Sequence, residues 1–237
     1  MTKTAPMTTD TSDLIEEADA QCIVDMDTTW ERLKHASSHG VHVYRGPAST
    51  SRGHFHRSMC ARTTFLGSLN MLTPLLRGSN APFNRAFYGD LVDLTTLATL
   101  YHSDTKQIRL RHATMVYGTL ARELVYLETQ EEMAFKDGRR GYVCAMHSVD
   151  PSHKALLPPS ATAGVPRAYV CHSGLVVRET TIPGVLDVAF VLHLDFLKHE
   201  AQTLCDKMMT QRLWSIRHLA HFAKPRVVRR LSSIFVK

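Results

Sequence analysis

Three neighbouring residues, Cys171, His172 and Ser173, carry the side chains of a nucleophile and a base. A thiol becomes a nucleophile when an imidazole within hydrogen-bond distance takes its proton. Residues 167–178 have the pattern of a strand, however, and successive side chains of a strand point to opposite faces of the sheet. We therefore expect Cys171 and His172 to lie apart. Since the sequence also has no Gly-x-Ser-x-Gly elbow and no phosphate-binding loop, we predict no catalytic residue.

Two pairs of histidines have spacings that suit half of a metal site. His54 and His56 lie on one face of a candidate strand, and His218 and His221 lie three residues apart in a candidate helix. A zinc site needs three or four ligands, and no acid or cysteine completes either pair at a recognisable spacing. Because the chain has 14 histidines, chance pairs are expected. The sequence therefore predicts no metal and no cofactor.

Other candidate contacts for a ligand lie inside apolar segments. His112, His147 and His172 interrupt candidate strands, where a histidine is either a satisfied core residue or a contact for a bound molecule. Met208 and Trp214 lie in the candidate C-terminal helix, where they pack into the core or line a cavity beneath the helix. The sequence alone leaves both interpretations open.

Helices are expected at the start of the chain and before the sheet. Residues 12–25 show helical spacing, and Thr28 with Glu31 forms a capping box that predicts a second helix ending at Gly40. A strand, a second possible strand and two short helices are expected next, at residues 41–45, 54–62, 66–76 and 82–89.

Strand patterns then continue up to residue 195, and they set the fold class. Six strands are predicted from apolar alternation and the turn residues between them, at residues 92–101, 108–117, 122–131, 140–148, 167–178 and 184–195. The apolar period changes to that of a helix over residues 198–222, which predicts one long amphipathic helix. An antiparallel sheet must bury one face, and this helix is available to cover it. We therefore predict an α+β fold in which the sheet curves around the helix, with a gap suited to an apolar ligand.

Composition and charge exclude several classes of protein. The 237 residues are 44% hydrophobic and 21% charged, as in globular domains and unlike disordered or fibrous chains. No run approaches the ~18 apolar residues of a transmembrane helix, and the acidic N-terminal segment is unlike a targeting signal. The five cysteines include no Cys-x-x-Cys pair, which favours free thiols in a reducing compartment. We therefore expect a cytoplasmic protein.

The two ends of the chain differ from its middle. Residues 1–11 are rich in threonine and are expected to form a disordered tail before a domain at residues 12–223. Residues 224–237 hold five basic residues and no acid, with apolar and basic side chains on opposite sides of a helix. This pattern is typical of helices that lie on anionic membranes, and a frayed tail is the alternative. The candidate membrane contacts are Arg226, Arg229 and Arg230.

Several segments, taken in order, resemble the START (steroidogenic acute regulatory protein-related lipid transfer) domain family. Arg122-Glu123-Leu124-Val125 is similar to that family's Arg-Asp-Phe-Val segment, and Trp30 followed by Val41-His42-Val43-Tyr44 is similar to its first helix and strand. The stretch from Arg167 through Ser173-Gly174 to Val177 is similar to a late strand of the family. The resemblance covers roughly residues 28–223, and the sequence is similar in style to the divergent START-like domains of oomycetes.

The resemblance implies the helix-grip fold (START/Bet v 1-like), with a tunnel that holds one lipid and is closed by the C-terminal helix. Some sterol-binding members place a charged pair in this tunnel. Counting without gaps from the Arg-Glu-Leu-Val segment puts those positions at Arg109 and Glu128, with the signs exchanged. If the hairpin turns near Leu120, the pair shares a sheet face with Arg111 and Tyr126, since side chains alternate with a period of two. An ordinary surface ion pair is the alternative.

Together these observations predict a non-enzymatic lipid-binding and lipid-transport protein that holds one sterol or phospholipid. The candidate ligand-binding residues are Arg109, Arg111, His112, Tyr126, Glu128, His172, Met208 and Trp214. The expected partners are a lipid and, weakly, an anionic membrane surface, so the protein is expected to be cytoplasmic or peripheral to a membrane. The chain is expected to be a monomer, and no pattern favours nucleic acid. Two alternatives stay open: an interaction or membrane-targeting module with a collapsed cavity, and an enzyme on the same fold.

Overall fold

The computed structural model describes residues 30–51, 54–78, 83, 86–149, 164–197 and 201–223. The predicted N-terminal tail, the first predicted helix and the basic tail with Arg226, Arg229 and Arg230 lie outside the described residues.

The described residues form strands, one 3-10 helix and three α-helices. The strands are β1 (Glu31–Arg32), β2 (His42–Arg45), β3 (Ser49–Ser51), β4 (His54–Leu66), β5 (Leu91–His102), β6 (Lys106–Tyr117), β7 (Leu120–Ala134), β8 (Arg140–Ser148), β9 (Tyr169–Val170), β10 (Ser173–Glu179) and β11 (Val185–Asp195). The helices are the 3-10 helix (Lys34–Ala36), α1 (Leu69–Arg77), α2 (Gln202–Leu213) and α3 (Ile216–Phe222). Phe83, Ala86 and Phe87 also have helical backbone.

The strands form one antiparallel sheet in the order β1-β2-β4-β11-β10-β8-β7-β6-β5, with β3 paired to β4 and β9 paired to β11. Strand β11, late in the chain, therefore lies in the middle of the sheet beside β4. On the other side of β10, strands β8, β7, β6 and β5 follow one another as hairpins out to the edge at β5.

The sheet curves around the C-terminal helices. Helix α2 contacts β4 and β11 on one side and β6 on the other. Strands β11 and β6 are four positions apart in the sheet, which is about 19 Å at ordinary strand spacing. A helix about 10 Å wide reaches both only if the sheet bends toward it. The predicted α+β helix-grip fold is thereby confirmed, and no described helix is long and apolar enough to span a bilayer.

The core lies between the concave face of the sheet and the helices. Alternate residues of each strand, such as Tyr142, Leu175 and Phe190, pack there against Met208 and Leu213 of α2. The intervening residues face the convex side. Since some of those are also buried, such as Cys60 and Val191, part of the convex face is covered as well.

The predicted helix after the Thr28–Glu31 capping box is wrong. Glu31 and Arg32 form β1 and pair with Arg45 and Tyr44 of β2. Trp30 packs on the convex face against the cluster around Cys60. Pairing with β2 and burial of the indole therefore override the local capping signal, and only the short 3-10 helix remains.

The prediction of a single long C-terminal helix is also wrong in one respect. The helix is interrupted at Trp214 and Ser215, where the Ser215 N–H donates to the Arg212 carbonyl three residues back, at 3.2 Å. The Trp214 Nε1–H donates to the carbonyl of Ala36 at 2.7 Å. The α-helix is therefore interrupted at the point where the Trp214 indole is hydrogen-bonded to the 3-10 helix.

Candidate functional site

An ion pair between Arg109 of β6 and Glu128 of β7 is buried in the concave face of the sheet. The two residues are register partners, and their side chains are only 2% and 5% exposed. The guanidinium Nε and Nη2 donate to Glu128 Oε1 at 3.1 and 2.6 Å. A pair held by two charge-assisted hydrogen bonds is among the strong polar contacts of a protein interior.

Further polar groups join this pair, and together they are called the β6–β7 network. The Gln130 side-chain amide donates to Glu128 Oε1 at 2.9 Å, and Arg111 Nη1 donates to Thr96 Oγ1 at 2.6 Å. Arg111 Nε lies 3.8 Å from Glu128 Oε1 and has no hydrogen-bond partner among the described residues. One carboxylate thus faces two buried guanidiniums, so the network carries an excess positive charge.

The electrostatics of the network keep Arg111 charged and the phenol of its register partner Tyr126 neutral. Burial opposes the charge on Arg111 and is the largest single effect, but the electrostatic effects of Glu128, Tyr126, Tyr88 and Cys144 together outweigh it, so the pKa of Arg111 is raised. Burial also raises the pKa of Tyr126, the register partner of Arg111, and Glu128 adds to that shift. The Tyr126 hydroxyl therefore keeps its proton at physiological pH.

A small void lies against the network. Its volume is about 10 Å³, and Tyr88, Tyr142 and Cys144 line it together with Arg109, Arg111 and other residues of the sheet. That space is enough for about one water molecule. This inner void therefore has no room for a lipid.

A much larger groove opens beside the C-terminal helices. It has a volume of about 810 Å³ and lies between α2, α3 and the 3-10 helix, with Phe87, Tyr117 and Trp214 among its lining residues. Its rim includes an ion pair between Arg45 Nη2 and Asp206 Oδ2, at 2.6 Å. The volume of the groove is within the range of pockets that bind drug-sized ligands.

Two adjacent aromatic rings lie between the groove and the void, and an ion pair of α2 packs on one of them. Phe87 lines the groove while its neighbour Tyr88 lines the void, and their ring centroids are 4.2 Å apart. The Arg212 guanidinium of α2 lies 3.7 Å from the centroid of the Tyr88 ring. Arg212 Nη1 also donates to Asp90 Oδ1 at 3.1 Å, with both side chains at most 3% exposed. Helix α2 is thereby tied to the partition between the two spaces.

The backbone is similar to those of several solved structures. Human StAR-related lipid transfer protein 5 matches with a TM-score of 0.67 and 14% identity, over 90% of this chain and 94% of that chain. The lipid transfer and protein localization domain of human StarD13 matches with a TM-score of 0.59 and 14% identity, over 93% and 100%. A StAR-related lipid transfer protein from Xanthomonas axonopodis, fragment 25–204, matches with a TM-score of 0.55 and 16% identity, over 83% and 99%.

This chain has the START fold. No protein-family model and no curated protein matches its sequence. At 14–16% sequence identity, the similarity to these structures lies in the backbone. It agrees with the resemblance found in short segments of the sequence.

The START fold brings together some of the predicted ligand-binding residues. Arg109, Arg111, Tyr126 and Glu128 share the concave face, as the alternation along the hairpin predicted. Met208 is fully buried in the core beneath α2, and Trp214 lines the groove.

The other two predicted residues lie elsewhere. His112 is on the convex face, where its Nε2 is 2.8 Å from Glu123 Oε1. Arg167 donates to the second oxygen of Glu123 at 2.9 Å. His172 is near His147, with ring centroids 5.2 Å apart. Neither residue belongs to the concave group: His112 follows the opposite phase of the strand alternation in β6, and His172 lies in the bend between β9 and β10.

The predicted strand over residues 167–178 is broken, so the expected separation of Cys171 and His172 is wrong. Strand β9 ends at Val170, β10 begins at Ser173, and His172 has a φ of +44°. The bend removes the alternation that would have put the two side chains on opposite faces.

Sequence reasoning missed Arg212 and Asp90. An arginine on an amphipathic helix resembles a surface charge, and its partner is 122 residues away. The available signal is spacing: Arg212 follows the buried Met208 by four residues, so it lies on the same helix face.

His193 of β11, partly buried on the convex face, gives a pH-dependent prediction. Burial lowers the pKa of His193 from 6.5 to about 4, with His172 and His56 acting in the same direction. The unfolded chain takes up this proton near pH 6.5, whereas the folded chain does so only near pH 4. The contribution of His193 to the free energy of unfolding should therefore fall by about 3 kcal/mol as the pH drops between these values, and be independent of pH above them. Urea unfolding at pH 7 and 4.5 measures it. The variant His193→Gln should show a smaller loss on acidification; an identical loss would contradict the assignment.

Proposed function

We propose that this chain binds one amphipathic lipid and carries it between membranes without changing it chemically. The observation that carries the proposal is the pairing of two spaces: a groove of about 810 Å³, and a buried positive network just behind its inner wall. The START fold shared with proteins named for lipid transfer supports it.

The apolar body of the lipid would occupy the groove beside Trp214 and Phe87. Each 100 Å² of apolar surface that leaves water there contributes about 2.5 kcal/mol before the cost of association. This is the term that makes extraction of a lipid from a membrane feasible. It requires no covalent step, which is why we propose a carrier and not an enzyme.

The polar end of the lipid would face the β6–β7 network. Arg111 offers Nε, a buried donor that makes no hydrogen bond to the described residues, and a donor without an acceptor is costly in a protein interior. A phosphate or hydroxyl oxygen of the lipid would accept from it. Access requires Tyr88 to move, because its ring lines the void and contacts the groove-lining Phe87, and Arg212 packs on that same ring.

The direct test is native mass spectrometry, with lipid extraction, on protein purified from cells and on protein incubated with liposomes. Liposomes of neutral phospholipid with cholesterol, and of neutral with anionic phospholipid, separate the two lipid classes. One lipid per chain supports a carrier and identifies the class. A bare protein that takes up neither lipid contradicts the proposal.

That negative result would favour the second candidate, a START-fold interaction module that holds no lipid. The small volume of the inner void, about 10 Å³, is the observation that favours it. The cytoplasmic location, the monomeric state and the weak contact with anionic membranes remain predictions from the sequence.

Filling the groove should abolish lipid uptake. Thr210 of α2 lines the groove, and Thr210→Trp would place an indole in the space proposed for the lipid. We expect uptake to fall by more than about tenfold, a change of about 1.4 kcal/mol. The matched control is Gln202→Trp, at an exposed position of the same helix outside the groove. Equal uptake by Thr210→Trp and the wild type would place the lipid elsewhere.

A further inference from the structure

A cluster of metal-ligating side chains lies on the convex face of the sheet, on the opposite side from the groove. It comprises His147 of β8 with Cys171 and His172 of the bend between β9 and β10. One ligand atom of each residue, an imidazole nitrogen or the sulfur, lies within 4.8 Å of the other two. All three side chains are partly buried.

The backbone fixes this arrangement. Ser173 pairs with Met146, and one step further along the same antiparallel ladder His172 comes next to His147. The Cys171 N–H donates to the His193 carbonyl at 3.0 Å. The Ser173 hydroxyl donates to the Cys171 carbonyl at 3.1 Å and accepts from the His193 N–H at 2.8 Å. Hydrogen bonds at Cys171 and at Ser173 thus hold the bend against His193 of β11. The side chains of Cys171 and His172 are thereby held beside β8.

We propose that His147, Cys171 and His172 form a binding site for Zn²⁺. Two imidazoles and one thiolate are a donor set that zinc takes, with bonds of about 2.0–2.1 Å to nitrogen and 2.3 Å to sulfur. A tetrahedral ion with such bonds places its ligand atoms about 3.3–3.6 Å apart, so the separations here need only small side-chain rotations. Three protein ligands leave the fourth position open to water or another small ligand.

Binding of Zn²⁺ at this site requires one ligand to lose a proton. Cys171 loses its thiol proton to solvent when the metal binds, and both imidazoles bind as neutral rings. The thiolate favours zinc over magnesium or calcium, which prefer oxygen ligands. A bound ion would join β8 to the β9–β10 bend. The site lies on a different face of the sheet from the groove, so it is independent of lipid binding.

Cobalt substitution tests the site directly. Full-length protein without a histidine tag is stripped with a chelator and titrated with Co²⁺. We expect one equivalent to bind, with a sulfur-to-cobalt charge-transfer band and visible bands of tetrahedral intensity, and Zn²⁺ to displace it. Cys171→Ser should remove the charge-transfer band. His147→Ala should weaken binding by more than about 100-fold, since loss of an outer partner alone costs about 10–100-fold.

Control measurements keep the result interpretable. His102→Ala, an exposed histidine outside the cluster, should bind cobalt like the wild type. Thermal unfolding without metal establishes that each variant is folded, and His172→Ala replaces any variant that is not. Zinc should raise the melting temperature of the wild type and not that of His172→Ala. A wild type without the charge-transfer band, or a Cys171→Ser protein with unchanged zinc affinity, would overturn the site.

Discussion

Replacing Glu128 by leucine should lower the free energy of unfolding by about 3–5 kcal/mol. Glu128 is the shared partner of Arg109 and Arg111, and all three side chains are at most 5% exposed. Without the carboxylate, both guanidiniums would stay in the interior after losing the charge that they share. The loss follows mainly from that uncompensated charge and exceeds what the ion pair itself contributes.

Urea unfolding at pH 7 measures the effect, and Glu131→Leu is the matched control. Glu131 lies on the same strand and pairs with Lys106 at 3.0 Å, but both side chains are more than 20% exposed. An exposed pair contributes at most about 1 kcal/mol. Equal losses in the two variants would mean that Glu128 does not hold a desolvated pair.

Replacing Arg212 by methionine should cost a similar amount, about 3–5 kcal/mol. The substitution leaves the carboxylate of Asp90, which is 1% exposed, without its cation. It also removes the guanidinium from the face of Tyr88, a contact that contributes about 1–2 kcal/mol when desolvated. Because Arg212 ties α2 to the partition, the same variant should also exchange lipid faster if the proposed carrier function is correct.

A double variant separates the lost pair from lost packing. Arg212→Met with Asp90→Leu removes both charges and should recover a large part of the stability, since apolar replacements of a buried pair are often neutral. Arg217→Met, at an exposed position on α3 whose guanidinium lies 5.3 Å from the Trp214 ring centroid, should cost less than about 1 kcal/mol. A double variant as unstable as Arg212→Met alone would assign the loss to packing.

The β6–β7 network was predictable because it depends on local geometry. Gly118, with a φ of +58°, allows the tight turn that pairs Tyr117 with Leu120. Each step away from that turn pairs one residue of β6 with one of β7, so Arg109 comes opposite Glu128. Alternation then decides which residues share the concave face. The short turn and the alternation of side chains along each strand were sufficient to predict this part of the site.

Other parts of the site depend on contacts that no local pattern encodes. The bend at His172 depends on hydrogen bonds to His193, in another strand. The Arg212–Asp90 pair depends on how α2 lies across the sheet, and the groove depends on the position of the 3-10 helix. The capping box failed for the same reason, since pairing of Glu31 and Arg32 with β2 stabilises an extended backbone instead of a helix.

The position of β11 beside β4 has a consequence for how the chain folds. Leu66 pairs with Val185, so the middle of the sheet closes only after nearly the whole domain has left the ribosome. The hairpins from β5 to β8 need only near neighbours and can form during synthesis. Topologies dominated by distant pairings fold slowly, in milliseconds to seconds. Until β11 arrives, the edges of β4 and β10 that it will cover are open to pairing with other chains.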